Sequence, residues 1–209
     1  MFVGRFNIGA VSLHLPMIYA KAKQESRPFF EVLDYYLELI RQLHIRTYAY
    51  LGEMRASTNP LAYCEGGFYG GHLKFHEKIK PLLKTATASF GITALNELQE
   101  LYNGKSLVED GQFAIDTLQH INDKIAEYKK ADGNLYAIYG TPAESLCGLQ
   151  ITQFRKKYGV IEHVSDRLRF QQLPLPCDRG YHPDRKAGSG KALLGFIQRR
   201  QNSICKIPD

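Results

Sequence analysis

The segment Leu135–Ser145, LYAIYGTPAES, decides the fold because it joins two kinds of local structure. Its first five residues are apolar and aromatic, and they predict a short strand. Gly140 then leads into a helix, for which Thr141 is suited to the N-cap and Pro142 to the first helical position. Glu144 follows the cap by three residues, as in a capping box. The segment therefore predicts a strand that turns directly into a helix.

The same turn is suited to binding an anion. Backbone amides at the start of a helix have no partner within it, and the helix dipole stabilises a nearby anion by about 0.3–1 kcal/mol, or about 2 kcal/mol when partly buried. One such helix orients a phosphate but does not bind it tightly. Turns of this kind also occur often with a purely structural role. The candidate phosphate-binding residues are Thr141, Pro142, Ala143, Glu144 and Ser145.

Earlier in the chain, two segments have a clear period. Residues Asn7–Pro16 alternate apolar and polar side chains, and they predict a strand that Pro16 ends. From about Pro28 to Ala56, apolar residues recur mostly every three or four positions, which predicts one long amphipathic helix. The glycine-rich stretch at 65–71 predicts a loop.

Two more helices are predicted between this loop and the opening segment. The first begins within Phe90–Leu98 and ends before Gly104; the second begins with a capping box at Ser106–Glu109 and ends before Gly133. Strands that alternate with helices predict a parallel α/β sheet or barrel. Two clear strands are too few to close either structure, so we expect this chain to be part of a larger one.

The composition is typical of one globular domain, with 209 residues of which 44% are hydrophobic. Charges interrupt the apolar stretches well before the roughly 18 residues that a transmembrane helix needs, and the N-terminus has no signal-peptide pattern. We therefore expect a cytoplasmic protein that does not enter a membrane. The four cysteines form no CxxC pair and predict neither a disulfide scaffold nor a zinc site; they are Cys64, Cys147, Cys177 and Cys205.

The net charge of +6 is concentrated at the C-terminal end. From Leu168 onward there are eight basic and three acidic residues, whereas residues 1–167 carry a net charge of only +1. Residues 168–209 also hold four of the nine prolines and have no sustained apolar period. We therefore predict a boundary after residue 167, followed by a poorly ordered basic tail. Such a tail could bind nucleic acid through its charge.

Within the tail, the GSGK sequence at 188–191 matches a phosphate-binding P-loop only in part. The Walker pattern requires a glycine where this chain has Arg185, and a serine or threonine where it has Ala192. These departures argue against a P-loop.

Two pairs of residues are weaker candidates for chemistry. His72 and His76 are four residues apart, as metal ligands on one helix face are, but no third ligand accompanies them. Cys64 and Cys147 lie where a thiolate could be stabilised, although cysteine is also a common small buried residue. We predict no metal site from these residues.

Three separate motifs, taken in order, resemble one known family. They are GRFNIGAVSLHLP at 4–16, ATASFGITALNEL at 86–98 and GTPAES at 140–145. In order and wording they are similar to the anaerobic, oxygen-sensitive (class III) ribonucleoside-triphosphate reductases, and the resemblance covers residues 3 to about 167. It implies an α/β fold, namely the second half only of a ten-stranded α/β barrel of the glycyl-radical type. It also implies a homodimeric enzyme that reduces ribonucleoside triphosphates to deoxyribonucleotides for DNA synthesis.

The resemblance also implies roles for individual residues. In the family, a glycyl radical on a C-terminal loop oxidises a cysteine on a finger loop, and the resulting thiyl abstracts the ribose 3′ hydrogen. The position that matches Asn7 lies by the substrate ribose, and the turn that matches Thr141–Ser145 receives the phosphates. None of the four cysteines matches the thiyl cysteine. We therefore expect no catalytic residue in this chain and no activity from it alone.

Cofactors and partners follow from the same resemblance. The parent enzyme's glycyl radical is installed by a radical-SAM activating protein, and the family usually carries a C-terminal zinc. We expect neither group in this chain, and we expect its partners to be ribonucleoside triphosphates, the activating protein and a second subunit, without nucleic acid. The alternatives are a non-catalytic nucleotide-binding or subunit-interaction module and a nucleic-acid binder that acts through its basic tail.

The sequence of residues 168–209 departs from that of the family directly after the Ser-Asp-Arg at 165–167. The family continues with a text close to YVSNSFHCHV, where this chain has LRFQQLPLPC. Codons for this chain's residues can be chosen so that a shifted frame spells the family's text, and the agreement continues through an NGG motif to the end of the chain. In each codon little beyond the wobble base is free to vary. The choice of synonymous codons therefore does not explain the agreement between the shifted frame and the family's sequence. We therefore interpret residues 168–209 as an out-of-frame translation.

Overall fold

The computed structural model describes residues 6–67, 71–140 and 144–166. Helices and strands alternate along this part of the chain, and two short 3-10 turns, Ala56–Thr58 and Lys80–Thr85, connect them. The elements are β1 (Asn7–His14), α1 (Leu15–Gln24), α2 (Phe29–Gly52), α3 (Pro60–Tyr63), β2 (Thr87–Thr93), α4 (Leu95–Asn103), α5 (Gln112–Asp132), β3 (Leu135–Gly140) and α6 (Glu144–Tyr158).

The strands form one parallel sheet in the order β1-β2-β3. Parallel neighbours need a long crossover, and here helices fill each one: α1 to α3 lie between β1 and β2, and α4 and α5 lie between β2 and β3. This confirms the predicted parallel α/β class. The described sheet has three strands, and the ten-stranded barrel stays a prediction.

The central strand is the main correction to the sequence prediction. Residues Phe90–Leu98 were expected to begin a helix, but Thr87–Thr93 form β2 and the helix begins only at Leu95. The strand does alternate, with apolar Ala88, Phe90 and Ile92 between polar or small residues. It was missed because Ile92, Leu95 and Leu98 follow one another at helical spacing, so the end of the strand was included in the helix. Ala94, in the left-handed conformation with φ +60°, separates the two elements.

The first strand is shorter than predicted because a helix follows it at once. β1 ends at His14, and Pro16 lies in the first turn of α1 instead of ending a strand. Proline is accepted there because the first amides of a helix make no bond within it. The α1 helix, which the sequence prediction missed, buries Leu15, Ile18 and Tyr19.

The other helix predictions are confirmed, with one change at a boundary. The long helix is α2, which ends at Gly52 instead of near Ala56. Helices α4 and α5 end directly before Gly104 and Gly133. Both glycines have the left-handed backbone conformation that is typical of such caps. The predicted capping box at Ser106–Glu109 is wrong as the start of α5. It closes a separate turn, in which the Ser106 N–H and hydroxyl both donate to the Glu109 carboxylate at 2.8 Å.

Two groups of buried side chains form the core. The larger one joins α1, α2 and α5 to one face of the sheet, and Phe90, Tyr136 and Leu37 are among its fully buried members. The smaller one holds α6 in place through Cys147, Ile151, Phe154, Ala94 and Val164.

Candidate functional site

The two faces of the sheet carry different side chains. One face, here called the helix-covered face, carries Leu13, Ala88, Phe90, Ile92 and Tyr136, and α2 and α5 pack against it. The opposite face, here called the small-residue face, carries small side chains at paired positions on the three strands. These are Ala10, Ser12, Ser89, Gly91 and Ala137, with Tyr139 beside Gly91.

Asn7 reaches the small-residue face because β1 contains a bulge. Gly9 pairs with Ala88, but Asn7 pairs with Thr87, so Ile8 is an extra residue in β1. In a regular strand Asn7 would share the helix-covered face with Gly9, because side chains alternate. The bulge moves the Asn7 side chain to the face of Ser89, while Ile8 packs against the larger core.

The Asn7 carboxamide is held by two hydrogen bonds. Its Nδ2 donates to Ser89 Oγ at 2.7 Å, and its Oδ1 accepts from the Gly9 N–H at 2.9 Å. Ser89 is 2% exposed and lies on the central strand, whereas Asn7 itself is exposed. An exposed side chain with a fixed orientation is suited to contact a ligand.

The carboxyl ends of the strands form the edge beside which ligands commonly bind in parallel α/β proteins. β1 ends there in His14 and β3 ends in Gly140. The His14 ring contacts Phe154 of α6, and burial lowers its pKa to about 4. The imidazole is therefore neutral near pH 7 and adds no positive charge to this edge.

The predicted phosphate turn follows this edge, and the structure describes it only in part. Thr141, Pro142 and Ala143 lie outside the described residues, as does the side chain of Glu144. Glu144 begins α6, and Ser145 is exposed in its first turn. The predicted strand before the turn is confirmed as β3, whereas the phosphate-binding roles remain predictions.

Asn7 and Gly140, the last described residue before the predicted phosphate turn, lie at opposite ends of the sheet. Asn7 of β1 pairs with Thr87 of β2, which pairs in turn with Leu135 at the start of β3. Gly140 lies at the other end of β3, where it pairs with Ile92. Five residues of strand correspond to about 17 Å.

The histidines and cysteines singled out from the sequence do not come together. Across residues 6–67, 71–140 and 144–166, no three His, Cys, Asp or Glu side chains are placed to hold a metal ion. Cys147 is fully buried with Ile151 and Phe154, as a packing residue is, and Cys64 is half-buried. His72 is exposed and packs so close to Gly66 that a Cβ there would lie 2.6 Å from its ring.

Two residues near Asn7 were not predicted from the sequence. Ser89 holds the Asn7 side chain, and His44 of α2 lies with Nε2 3.2 Å from the Ser89 carbonyl oxygen. Burial lowers the pKa of His44, which favours a neutral ring whose Nε2–H donates to that carbonyl. Neither contact has a signal in the sequence, because both depend on a bulge and on a helix packed across the sheet.

The fold and this site together define a parallel α/β protein whose sheet presents a polar side chain on a face of small residues. A family model described as anaerobic ribonucleoside-triphosphate reductase matches residues 1–177. The chain belongs to this family. Among the described residues, no helix has both the length and the apolar character needed to cross a bilayer.

Curated relatives with that name support the assignment. The Haemophilus influenzae protein is 32% identical over 170 residues, which cover 78% of this chain and 24% of the relative. The Escherichia coli and phage T4 proteins are each 28% identical over the same length. The chain thus spans about a quarter of the length of these relatives.

Solved structures share the fold at low sequence identity. The anaerobic ribonucleotide reductase from Thermotoga maritima with glycerol in its active site gives a TM-score of 0.63 at 16% identity, covering 83% of this chain and 28% of that one. The same enzyme with dATP in the specificity site gives 0.58 at 14% identity. The arrangement of the described elements is therefore that of a segment of this reductase fold.

Proposed function

We propose that this chain is a substrate-holding segment of an anaerobic ribonucleoside-triphosphate reductase, inactive by itself. The observation that carries the proposal is the Asn7 carboxamide, which a bulge turns onto the small-residue face and two hydrogen bonds hold there. In a chain of this family, such a group is suited to contact the ribose. The backbone amides and side chains of Thr141–Ser145 would take the phosphates.

The whole enzyme would supply what this segment does not hold. We propose that the three strands are part of a ten-stranded barrel in a cytoplasmic homodimer, and that a radical-SAM protein activates it. The glycyl radical would supply the oxidant for hydrogen abstraction from the ribose. The zinc that the family usually carries would be held in the C-terminal part of the whole enzyme, and no step proposed here depends on it.

The test is ligand binding by the full 209-residue chain. We expect saturable binding of ATP that weakens when Asn7→Ala removes the carboxamide and is lost in a Thr141→Ala/Ser145→Ala double variant. Asn122→Ala on α5 is the matched control and should bind as the wild type does. Binding of ATP that none of these variants changes would contradict the assigned site.

Activity is a separate measurement. With an activating protein and a reductant of the family, we expect no deoxyribonucleotide from this chain, because none of its cysteines matches the thiyl cysteine of the family. Formation of product would overturn the proposed inactivity and require a radical cysteine among the four present.

We also propose that residues 168–209 are translated out of frame. The excess of basic residues and the prolines of this segment support the proposal, as does the shifted-frame text. The family match runs through residue 177, so it includes the first ten residues of this segment and none of the 32 residues after them. Sequencing the coding DNA through Asp209 tests this proposal. An intact reading without a shifted-frame match after Arg167 would overturn it.

A further inference from the structure

Ser89 is a buried hydroxyl on the central strand, and its side chain faces the exposed Asn7 of the neighbouring strand. We propose that Ser89 is a positioning residue that fixes the plane of the Asn7 carboxamide for ligand binding. This inference rests on the proposed function, because it assigns the residue that orients Asn7 toward the ligand.

The two hydrogen bonds of Asn7 have different effects. The Gly9 N–H can only donate, so its 2.9 Å contact determines which terminal atom of the side chain is the oxygen. The Ser89 hydroxyl accepts from Nδ2 at 2.7 Å and so limits rotation of the amide about its last torsion. Both contacts are needed to hold one orientation.

Ser89 is itself held firmly. It lies between β1 and β3, pairing with Ala10 on one side and Ala137 on the other. On the opposite face, His44 Nε2 lies 3.2 Å from the Ser89 carbonyl oxygen. The hydroxyl is thus attached to the most buried strand of the sheet, whereas Asn7 lies next to a bulge on β1, an outer strand of the three that the structure describes. A fixed partner on the central strand compensates for the irregular backbone of β1.

The remaining bonding capacity of Asn7 defines what it can recognise. A carboxamide has two N–H donors and two acceptor positions. After the bonds to Ser89 and Gly9, one donor on Nδ2 and one acceptor position on Oδ1 remain. Adjacent hydroxyl groups, each of which donates and accepts, match this pair. Without Ser89 the amide can rotate, and the pair is no longer held toward the ligand.

The experiment compares ligands with and without ribose hydroxyls on the full chain. ATP, 2′,3′-dideoxy-ATP and inorganic triphosphate are titrated against the wild type, Ser89→Ala and Ser89→Thr. We expect Ser89→Ala to weaken ATP binding about 5- to 10-fold, toward the dideoxy value, and to leave triphosphate binding unchanged. Ser89→Thr keeps the hydroxyl and should restore most of the difference. Thr87→Val, on the same face and level with Asn7, is the matched control and should bind ATP normally.

A second measurement needs no ligand. In NMR spectra, the Asn7 side-chain amide, assigned by its loss in Asn7→Ala, should give two resolved proton signals with slowed exchange. We expect Ser89→Ala to remove that protection and Thr87→Val to retain it.

The outcomes separate this inference from the proposed function. Unchanged ATP affinity and unchanged amide exchange in Ser89→Ala would overturn the positioning role, even if Asn7→Ala still weakens binding. Binding of triphosphate without any preference for ATP over its dideoxy analogue would also overturn the positioning role of Ser89. It would leave the proposed phosphate-binding role of residues 141–145 unaffected. A wild type that binds none of the three ligands would overturn the proposed function, and with it the role of Ser89 in binding.

Discussion

The helix-covered face and the small-residue face of the sheet are made from the same three strands but serve different purposes. On the first, Phe90 and Tyr136 are buried against α2 and α5. On the second, Ala10 is exposed and Ala137 is half-buried, so the two outer strands leave room beside the sheet, whereas Ser89 and Gly91 of the central strand are buried. We infer that the first face provides stability and the second provides access for a ligand.

One bulge connects the two faces. Ile8 joins the larger core, and Asn7, the residue before it, lies on the other face with Ser89. A shift of one residue reverses the face of every side chain before it. A single extra residue therefore lets β1 contribute both to the core and to the candidate site.

Truncating an aromatic side chain on the helix-covered face should have the largest effect. Phe90 is fully buried, and its ring contacts His44, Tyr128 and Tyr136. We expect Phe90→Ala to lower the free energy of unfolding by about 3–5 kcal/mol. Ser89 directly precedes Phe90 and lies on the other face, and Ser89→Ala should lower the free energy of unfolding by about 1 kcal/mol. Urea unfolding followed by far-UV circular dichroism measures both, and equal losses would contradict the division between the faces.

The second effect concerns the ion pair that ties β3 to the helices. Arg41 donates to both oxygens of Asp132, at 2.6 and 2.9 Å, and the Tyr136 hydroxyl donates to the same carboxylate. The Asp132 side chain is 9% exposed, so Arg41→Ala leaves a nearly buried charge and should cost about 3 kcal/mol.

The matched control for this pair is on the surface. Lys78 and Glu53 form an ion pair in which both side chains are more than half exposed. We expect Lys78→Ala to change the free energy of unfolding by less than about 1 kcal/mol. A loss as large as that of Arg41→Ala, measured by the same urea titration, would show that burial does not distinguish the two pairs.

The third effect is a pH dependence at the carboxyl edge. Burial lowers the pKa of His14 from 6.5 to about 4, so the unfolded chain binds a proton at a higher pH than the folded chain does. Stability should therefore be full above pH 6.5 and fall by about 3 kcal/mol as the pH drops to 4. The free energy of unfolding of the His14→Gln variant should fall less between pH 6.5 and pH 4, and urea unfolding at several pH values measures it. Because burial also lowers the pKa of His44, the difference between the two proteins isolates His14.

The smallest effect tests whether the small-residue face has room. Ala88 is fully buried on the helix-covered face, and Ala88→Leu should cost about 1–3 kcal/mol through overpacking. Ala137 is half-buried on the other face, and Ala137→Leu should cost less than about 1 kcal/mol while it blocks ATP binding. An Ala137→Leu variant that binds ATP normally would place the ligand elsewhere.

Local patterns predicted the elements that have a clear period or a clear end. The long helix α2, the strand β3 and the glycine ends of α4 and α5 depend on neighbours in the sequence, so they are visible there. The central strand β2 was missed although it alternates, because Ile92 at its end continues at helical spacing into Leu95 and Leu98 of the helix that follows. Helix α1 was missed because Pro16 suits a helix start as well as a strand end.

The sequence by itself determined the α/β class, the family resemblance and the choice of Asn7 and residues 141–145 as candidates, because these depend on residue types in a fixed order. Tertiary structure alone decided that Asn7 faces Ser89, that His44 contacts the same strand from the opposite face, and that the levels of Asn7 and Gly140 lie about 17 Å apart along the sheet. The physical reason is strand register. It is determined by pairing between segments some eighty residues apart, and one extra residue changes the face of a side chain.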